Sequence, residues 1–339
     1  MKRHFYIYSP SGAVRDRQAF RRGVRQLEAL GHEVEVDESA LASHQRFAGD
    51  DATRLAAIHR AAASGADVAM VSRGGYGLTR LLPRIRYKDV ARAIDKGMKF
   101  IGLSDFSAFQ LAVLAQTGRI TWSGPSLCEG FGLADQLQPV GGQVRTQPDE
   151  MMLACLDDLL SAQGEGTGWR QAISSTADLA AAGPFHARRL QQAASWTLHD
   201  AMLWGGNLSI LVSLLGTPYF PAVKGGLLFL EDVGEHPYRI ERMLTQLLHA
   251  GVLGRQKAVL LGQFTDYQLV DHDRGFKLQS VINWLRSQLK VPVLTNLPFG
   301  HVPRKVLLPV GARTDLAVTG RDVLLVWGHL ERPGGRRSP

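Results

Sequence analysis

Three side chains that together could perform acyl transfer each follow a short apolar segment of this chain. Ser104 comes after Lys99-Phe100-Ile101, Glu231 after residues 227–230, and His301 after a Pro-Phe-Gly turn. A hydroxyl, an imidazole and a carboxylate supply a nucleophile, its general base and the group that orients the base. The residue types and their placement at strand ends therefore predict a serine hydrolase.

Ser104 lies at a sharp junction between that apolar strand and a helix with an apolar face. Such a turn pushes the hydroxyl out of the sheet edge, and we expect a strained backbone there with a positive φ. A simpler interpretation is that Ser104 or Asp105 only caps the helix. The G-x-S-x-G elbow of α/β-hydrolases does not fit, because Phe106 stands where its second glycine is required.

Glu231 and His301 also have simpler interpretations. Glu231 precedes a helix predicted after Pro237, where acidic residues are favourable in themselves. A single histidine in a loop commonly has no catalytic role, so only the combination of Ser, Glu and His carries the prediction.

The glycine-rich loop after the apolar strand 68–71 has two interpretations. Gly74-Gly75-Tyr76-Gly77 could cradle a phosphate, but it lacks the Lys-Ser/Thr ending of a P-loop. We favour an oxyanion hole, in which the backbone amides of Gly75 and Asp105 meet the developing negative charge.

The alternation of short apolar runs and helical patterns predicts an α/β fold. In the first half, strands near 5–8, 34–36, 68–71 and 99–101 alternate with helices, which is typical of a parallel sheet with helices on both faces. The second half adds predicted strands at 227–230, 258–261, 306–308, 316–318 and 323–326 and a helix at 239–250. We therefore expect a second, mixed α/β domain with more β-structure.

A chain of 339 residues exceeds what one hydrophobic core usually serves. Gly-, Ser- and Thr-rich sequence after residue 161 indicates a linker together with the opening strand of the second domain. The predicted units are an N-terminal domain carrying the nucleophile (1–165), a linker (166–183), a C-terminal domain carrying Glu231 and His301 (184–331) and a flexible basic tail (332–339).

Composition limits the partners. The net charge is +8, but basic residues are interspersed with acidic ones or lie in the tail, so we expect no nucleic-acid partner.

Ser9-Pro10-Ser11-Gly12 interrupts the N-terminal apolar run, and no run approaches about 20 apolar residues, so we expect a cytoplasmic protein without a membrane span. Cys128 and Cys155 are interpreted as buried apolar residues, and neither a metal nor a cofactor is expected.

Short motifs are spread over nearly the whole chain. In order they include Ser9-Pro10-Ser11-Gly12, Arg73-Gly74-Gly75-Tyr76-Gly77, Ser104-Asp105-Phe106, Trp122-Ser123-Gly124-Pro125, Leu203-Trp204-Gly205-Gly206-Asn207-Leu208, Leu230-Glu231-Asp232, Gly300-His301 and Leu308-Pro309-Val310-Gly311. This series resembles the LD-carboxypeptidases, in particular the cytoplasmic muramoyltetrapeptide carboxypeptidases.

The resemblance implies a metal-independent Ser-Glu-His serine peptidase, usually a homodimer. It implies a flavodoxin-like N-terminal domain bearing Ser104 and a smaller C-terminal domain bearing Glu231 and His301. The reaction would remove the terminal D-Ala of murein tetrapeptides, free or sugar-linked, in peptidoglycan recycling. The stretch 133–147 and the basic tail depart from the family pattern as elaborations.

Four further residues are candidates for substrate contact. Arg73 and Arg239 could bind the terminal carboxylate, or each could form only an ion pair. Tyr76 is a third candidate. Asn207 could bind substrate amides or merely tolerate a left-handed backbone, and we favour a structural role.

Two other functions are compatible with the same residues. One is a self-immunity peptidase that cleaves a peptide-nucleotide antibiotic on the same scaffold. The other is a non-catalytic α/β protein that binds anionic ligands, in which Ser104 is only a helix cap.

Overall fold

Five apolar runs of the first half of the chain, with one strand from near its C-terminal end, form a six-stranded sheet. The computed structural model describes residues 2–133, 148–161, 166–172, 176–190 and 195–328. The strand order is β2-β1-β3-β4-β5-β11, in which the first five strands are parallel and β11 is antiparallel to β5. This is the flavodoxin-like order 2-1-3-4-5 expected from the resemblance. The strands are β1 (His4–Tyr8), β2 (Glu33–Val36), β3 (Val68–Val71), β4 (Lys99–Gly102), β5 (Thr121–Ser123) and β11 (Leu308–Val310).

Helices cover both faces of this first sheet. Helices α1 and α5, together with a single π-helical turn, pack on one face, and α2, α3 and α4 pack on the other. Aspartates begin two of them: Asp16 Oδ1 accepts hydrogen bonds from the first turn of α1, and Asp50 Oδ1 accepts one in α2. The bounds are α1 (Arg17–Ala29), α2 (Asp51–Ala63), α3 (Tyr87–Asp95), α4 (Ser107–Thr117), the π-helical turn (Leu127–Phe131) and α5 (Glu150–Ser161).

A second, seven-stranded sheet has the order β10-β9-β8-β7-β12-β13-β6. Strands β7 to β10 are parallel, whereas β12, β13 and β6 are joined by antiparallel pairing, so the predicted mixed character is confirmed. The strands are β6 (Gly166–Arg170), β7 (Ser195–Asn207), β8 (Leu227–Val233), β9 (Ala258–Thr265), β10 (Val293–Leu294), β12 (Arg313–Thr319) and β13 (Asp322–Val326). The helices are α6 (Thr176–Ala181), α7 (Gly183–Leu190), α8 (Leu208–Ser213), α9 (Pro237–His249) and α10 (Leu278–Gln288).

Two segments have strand partners that the predicted domain boundaries do not anticipate. Gly166–Arg170, expected within the linker, is strand β6 and pairs with β13, burying Trp169. Leu308–Val310, expected within the C-terminal domain, pairs with β5 of the first sheet. Glycines hide the first strand from sequence patterns, because glycine is depleted in strands. The second was predicted as a strand at 306–308, and the observed strand is Leu308–Val310. Residues 134–147, most of the expected elaboration, and the tail at 332–339 lie outside the described residues.

Helix α4 joins the two sheets into one buried core. It packs on the first sheet and also contacts β7 and α8, so a single apolar cluster includes Phe100 and Phe109 as well as Trp204 and Phe229. The residues that precede α4 are therefore held next to the second sheet. None of the helices in the described ranges is long and apolar enough to cross a membrane.

Candidate active site

Ser104 has the strained backbone expected of a nucleophile elbow. Its φ is +66°, in the left-handed region that residues other than glycine rarely adopt. It is separated from β4 only by Leu103, and it begins a short 3₁₀ turn, Ser104–Phe106, that continues into α4. No side chain caps either the turn or the helix. Asp105 Oδ2 instead accepts a hydrogen bond from the amide of Leu78 at 3.0 Å, so the capping interpretation is wrong.

The glycine-rich loop lies directly against Ser104. A Cβ atom at Gly74 would come within 2.6 Å of Ser104 Cβ and 2.9 Å of its Oγ. Gly75 has a φ of +123° and a Cβ there would lie 3.0 Å from Gly12 Cα, while the amide of Gly12 donates to Gly74 O at 3.2 Å. Only glycine fits this close approach of the loops after β1 and β3. The loop thus adjoins Ser104, where Gly75 was expected.

Glu231 and His301 are paired. His301 Nδ1 lies 2.7 Å from Glu231 Oε2, and the Glu231 side chain is fully buried while His301 is 16% exposed. A Cβ at Gly300, which has a φ of +139°, would lie 3.3 Å from Glu231 Oε2. The glycine before the histidine therefore allows the loop after β10 to close over the carboxylate.

Electrostatics favour the protonated form of His301. Burial lowers the pKa of His301, but the hydrogen bond and charge of Glu231, aided by the charge of Glu129, outweigh burial and raise it above its usual value. An orienting carboxylate has this effect on a general base, because it stabilises the imidazolium that forms during proton transfer.

Asn207 ties the Glu231–His301 pair to the segment after Ser104. Its side-chain Nδ2 donates to Glu231 Oε1 at 3.2 Å and to Asp232 Oδ1 at 3.0 Å. Its backbone N–H donates to Ser107 Oγ at 3.0 Å. Within the described ranges no hydrogen bond joins Ser104 Oγ to His301. Catalytic hydrogen bonds are often loose without substrate, so the hydrogen-bonded path from Ser107 to His301 is the observed link.

A structural role was favoured for Asn207, but the reason expected for that role, a left-handed backbone, is wrong. Its φ is −65°, and the left-handed residues are Gly205 and Gly206, at +134° and +137°. A Cβ at Gly205 would collide with Phe229 O, and one at Gly206 would lie 2.5 Å from Ser107 Oγ. The glycines permit the close strand packing, whereas Asn207 orients Glu231 and caps α8 through Oδ1, which accepts from the amide of Ile210 at 3.1 Å.

The other candidates for substrate contact lie at different distances from this centre. Arg73 Nη1 lies against Gly12 and Gly75, and its Nη2 is 3.6 Å from Glu129 Oε1. Tyr76 is 46% exposed, next to the glycines of the loop. Both residues belong to the loop that adjoins Ser104.

Arg239 is placed differently, on the first turn of α9. It pairs with Glu235 at 3.7 Å and with the Tyr238 hydroxyl at 3.2 Å, and the pKa of Arg239 is raised by these neighbours. The described contacts of Arg239 include none of the triad residues, which favours the ion-pair interpretation.

Two charged residues near the pair were missed in the sequence. Lys305 is 2% exposed and donates from Nζ to Glu129 O at 3.0 Å, and burial lowers the pKa of Lys305 to about 8. Glu129 lies on the π-helical turn, a feature frequent at functional sites. A lysine four residues after His301 was the one available signal, because nothing in the sequence brings Glu129 to the same place.

No metal centre is indicated within the described part of the chain. It contains no group of three or more His, Cys, Asp or Glu side chains arranged to hold an ion. Cys128 is buried and Cys155 partly buried, and burial raises the pKa of both thiols.

Comparison with known proteins gives the same family over both halves. The N-terminal domain model of the LD-carboxypeptidases matches residues 6–124, and the C-terminal domain model matches residues 200–316. A murein tetrapeptide carboxypeptidase of Pseudomonas aeruginosa is 30% identical, with 85% of each chain covered.

Solved structures agree. A muramoyltetrapeptide carboxypeptidase from Oxalobacter formigenes is 33% identical over 96% of this chain and 98% of that one, with a TM-score of 0.77. The microcin C7 self-immunity protein MccF, 19% identical over 97% of both chains, also has a TM-score of 0.77, which shows a common fold. The chain therefore belongs to the LD-carboxypeptidase family, and the expected enzyme class, a serine-type LD-carboxypeptidase, is confirmed.

Proposed function

We propose that this enzyme removes the terminal D-Ala from murein tetrapeptides, free or sugar-linked, in peptidoglycan recycling, through a Ser104-Glu231-His301 triad. The observation that carries the triad is the 2.7 Å contact of His301 Nδ1 with a fully buried Glu231. The names of the relatives from P. aeruginosa and O. formigenes support the substrate.

The mechanism assigns one task to each side chain. His301 Nε2 takes the Ser104 proton as Oγ attacks the carbonyl before the terminal D-residue, and Glu231 stabilises the resulting imidazolium. His301 then protonates the leaving amine, which releases the D-amino acid. Water activated by the same imidazole hydrolyses the acyl-enzyme and regenerates the Ser104 hydroxyl.

The oxyanion would be held by the backbone amides of Gly75 and Asp105. Gly74 touches Ser104, so the next amide along the loop is close to the attacked carbonyl. Asp105 follows Ser104 in the turn, and its side chain is fixed on Leu78, which keeps its backbone in place. Preorganised donors of this kind are worth about 10²–10³ in rate each.

The alternatives have less support. The likeness to the self-immunity protein concerns only the fold, and cleavage of a peptide-nucleotide antibiotic has no observation of its own here. A non-catalytic anion-binding protein is disfavoured by the family membership and by the strained, uncapped Ser104.

The decisive experiment measures D-Ala released by the purified protein from free and disaccharide-linked tetrapeptides. We expect release from both, and loss of at least about 10³-fold in kcat for Ser104→Ala with an unchanged circular dichroism spectrum. A peptide-nucleotide conjugate is assayed in parallel. Hydrolysis of the conjugate alone would replace the murein substrate, and full activity of Ser104→Ala would eliminate the triad.

A cytoplasmic location and a homodimeric state also belong to the proposal. Cell fractionation tests the location, and light scattering tests the oligomeric state.

A further inference from the structure

A cavity of about 170 Å³ opens between strand β9, helix α10 and the residues that follow β10. Strand β9 lines it with residues 261–264, α10 with four residues of one face, and the chain after β10 with Thr295 and Asn296. None of the triad residues is among the described residues that line it, so the cavity is separate from the candidate active site.

Arg286 supplies the charge of this cavity. No other charged residue is among the described ones that line it, and Arg286 is 2% exposed. Its Nε and Nη2 donate to Val293 O at 3.3 and 3.0 Å, and its Nη1 has no hydrogen-bond partner in the described ranges. A guanidinium has five N–H donors, so a single carbonyl oxygen leaves several of them for a ligand.

The charge of Arg286 is compensated only at a distance. Its guanidinium has no carboxylate within 4 Å among the described residues, whereas Arg54, which is also buried, forms an ion pair with Asp51. The charge of Asp178 raises the pKa of Arg286, but burial outweighs it and lowers that pKa to about 10. Because a buried cation without a counterion is unfavourable, a bound anion would stabilise Arg286.

The other walls of the cavity combine apolar and amide side chains. Leu261, Phe264 and Ile282 are buried, and Gln263 and Gln279 add polar groups. Small-molecule sites typically have apolar walls with a few polar groups that fix orientation. A cavity of about 150 Å³ holds a benzene ring, so this one has room for a ring or a branched chain of that size but not for a murein tetrapeptide.

Hydrogen bonds hold these walls in place. Gln263 donates from its backbone N–H to Phe299 O at 2.8 Å and from Nε2 to Leu297 O at 3.1 Å. Asn296 Nδ2 donates to Arg170 O at 2.8 Å. The walls are therefore set without a ligand, and a preorganised site loses less binding free energy to ordering.

We propose that this cavity is a second ligand site of the protein and takes a small carboxylic acid with an apolar body, of the size of benzoate or a branched-chain acid. Arg286 binds the carboxylate through its unused N–H donors, while Leu261, Phe264 and Ile282 surround the body. The carboxylate balances the buried guanidinium, and the walls remove apolar surface from water. An inorganic anion would gain only the first of these contributions, and a neutral molecule only the second.

The test measures the binding of three probes to the whole purified chain by isothermal titration calorimetry. Benzoate carries both features, benzamide has nearly the same shape without the charge, and inorganic phosphate has the charge without the apolar body. We expect benzoate to bind with one-to-one stoichiometry and at least about tenfold more tightly than either of the others, as for a hydrogen bond to a charged group. A rise in Tm with benzoate is the second readout.

Two variants test the place of binding. Arg286→Gln removes the charge, and Ile282→Phe fills the cavity while the guanidinium remains. We expect each of them to weaken benzoate binding at least about tenfold. The matched control is Arg313→Gln, which removes an exposed guanidinium of β12 that pairs with Asp200, and it is expected to bind benzoate as the wild type does.

Equal affinities of the wild type for benzoate and benzamide would overturn the site, as would the absence of benzoate binding. Phosphate bound as tightly as benzoate would overturn the proposed ligand class. Wild-type affinity in both Arg286→Gln and Ile282→Phe would place benzoate elsewhere on the protein and overturn the site as well. If Arg286→Gln fails to fold, Ile282→Phe and the comparison of probes on the wild type still decide. These readouts require no peptidase activity, so they stand whatever the D-Ala assay shows.

Discussion

Asn207 donates a hydrogen bond from Nδ2 to Glu231 Oε1 at 3.2 Å, leaving Oε2 for His301. The same Nδ2 also serves Asp232 Oδ1, so one amide lies between two adjacent buried carboxylates. Burial and the charge of Glu231 raise the pKa of Asp232 to about 6. Asn207 thus reduces the repulsion between two acids that the fold has placed side by side, and it fixes the orientation of Glu231.

A first prediction follows from the separate roles of Oδ1 and Nδ2 in the Asn207 side chain. Asn207→Ser and Asn207→Asp both keep an oxygen that can cap α8, but both lose the Nδ2 group that donates to Glu231. We expect kcat/KM to fall about 10- to 100-fold in each, with the larger loss for the added carboxylate of Asn207→Asp. Peptidase kinetics and thermal melting check this. Wild-type activity in both variants would reduce Asn207 to a helix cap.

A second prediction concerns the contact between Gly74 and Ser104. Alanine at position 74 would place a methyl group 2.6 Å from Ser104 Cβ, so one of the two segments must move. A displacement of about 1 Å at a nucleophile costs on the order of 10²-fold, and we expect at least that loss in kcat for Gly74→Ala. Gly254→Ala is the matched control, because nothing lies within 4 Å of its added Cβ. Equal activity of the two variants would contradict the close packing.

Sequence patterns gave much of this architecture correctly where a local signal existed. Strand β3 has the predicted bounds, since an uninterrupted apolar run marks it. The positive φ of Ser104 was also expected, from the abrupt strand-to-helix junction.

The remaining features depend on tertiary contacts that no local signal encodes. An opening strand of the second domain was expected in this region, but the sequence did not place β6, because its pairing with β13 overrides a glycine-rich sequence. Glu129 meets Arg73 only because the π-helical turn is hydrogen-bonded to the end of β3. Asn207 looked like a turn residue, and its contacts with Glu231 require β7 and β8 to be adjacent.

A third prediction concerns the pH dependence of peptidase activity. His301 must be neutral to accept the Ser104 proton, and its pKa is raised, so kcat/KM should increase with pH and level off only above the usual histidine value of about 6.5. Glu231→Gln removes the main group that raises the pKa of His301 and leaves the burial that lowers it. We therefore expect the residual activity of Glu231→Gln to rise with pH at lower pH values than the activity of the wild type does. If the kcat/KM of the wild type levelled off below pH 6, the result would contradict the electrostatic coupling of Glu231 and His301.

A fourth prediction concerns stability and Lys305. The folded state lowers the pKa of Lys305 from 10.5 to about 8, because its buried ammonium has one carbonyl as a hydrogen-bond partner and no carboxylate within 4 Å among the described residues. Between these two values the unfolded chain binds more protons than the folded one, so this group makes stability rise with pH.

At pH 7 the ammonium is charged in both states, and its burial costs on the order of 1–3 kcal/mol. Above pH 8 the folded state holds the neutral amine, and that cost declines until the unfolded chain also loses its proton. Lys305→Met removes the charge, so its Tm relative to wild type should be higher at pH 7 than at pH 9.5. Lys305→Arg retains a cation and should show no such gain at pH 7. A Tm difference between Lys305→Met and wild type that does not change with pH would mean that Lys305 carries no uncompensated charge in the folded protein.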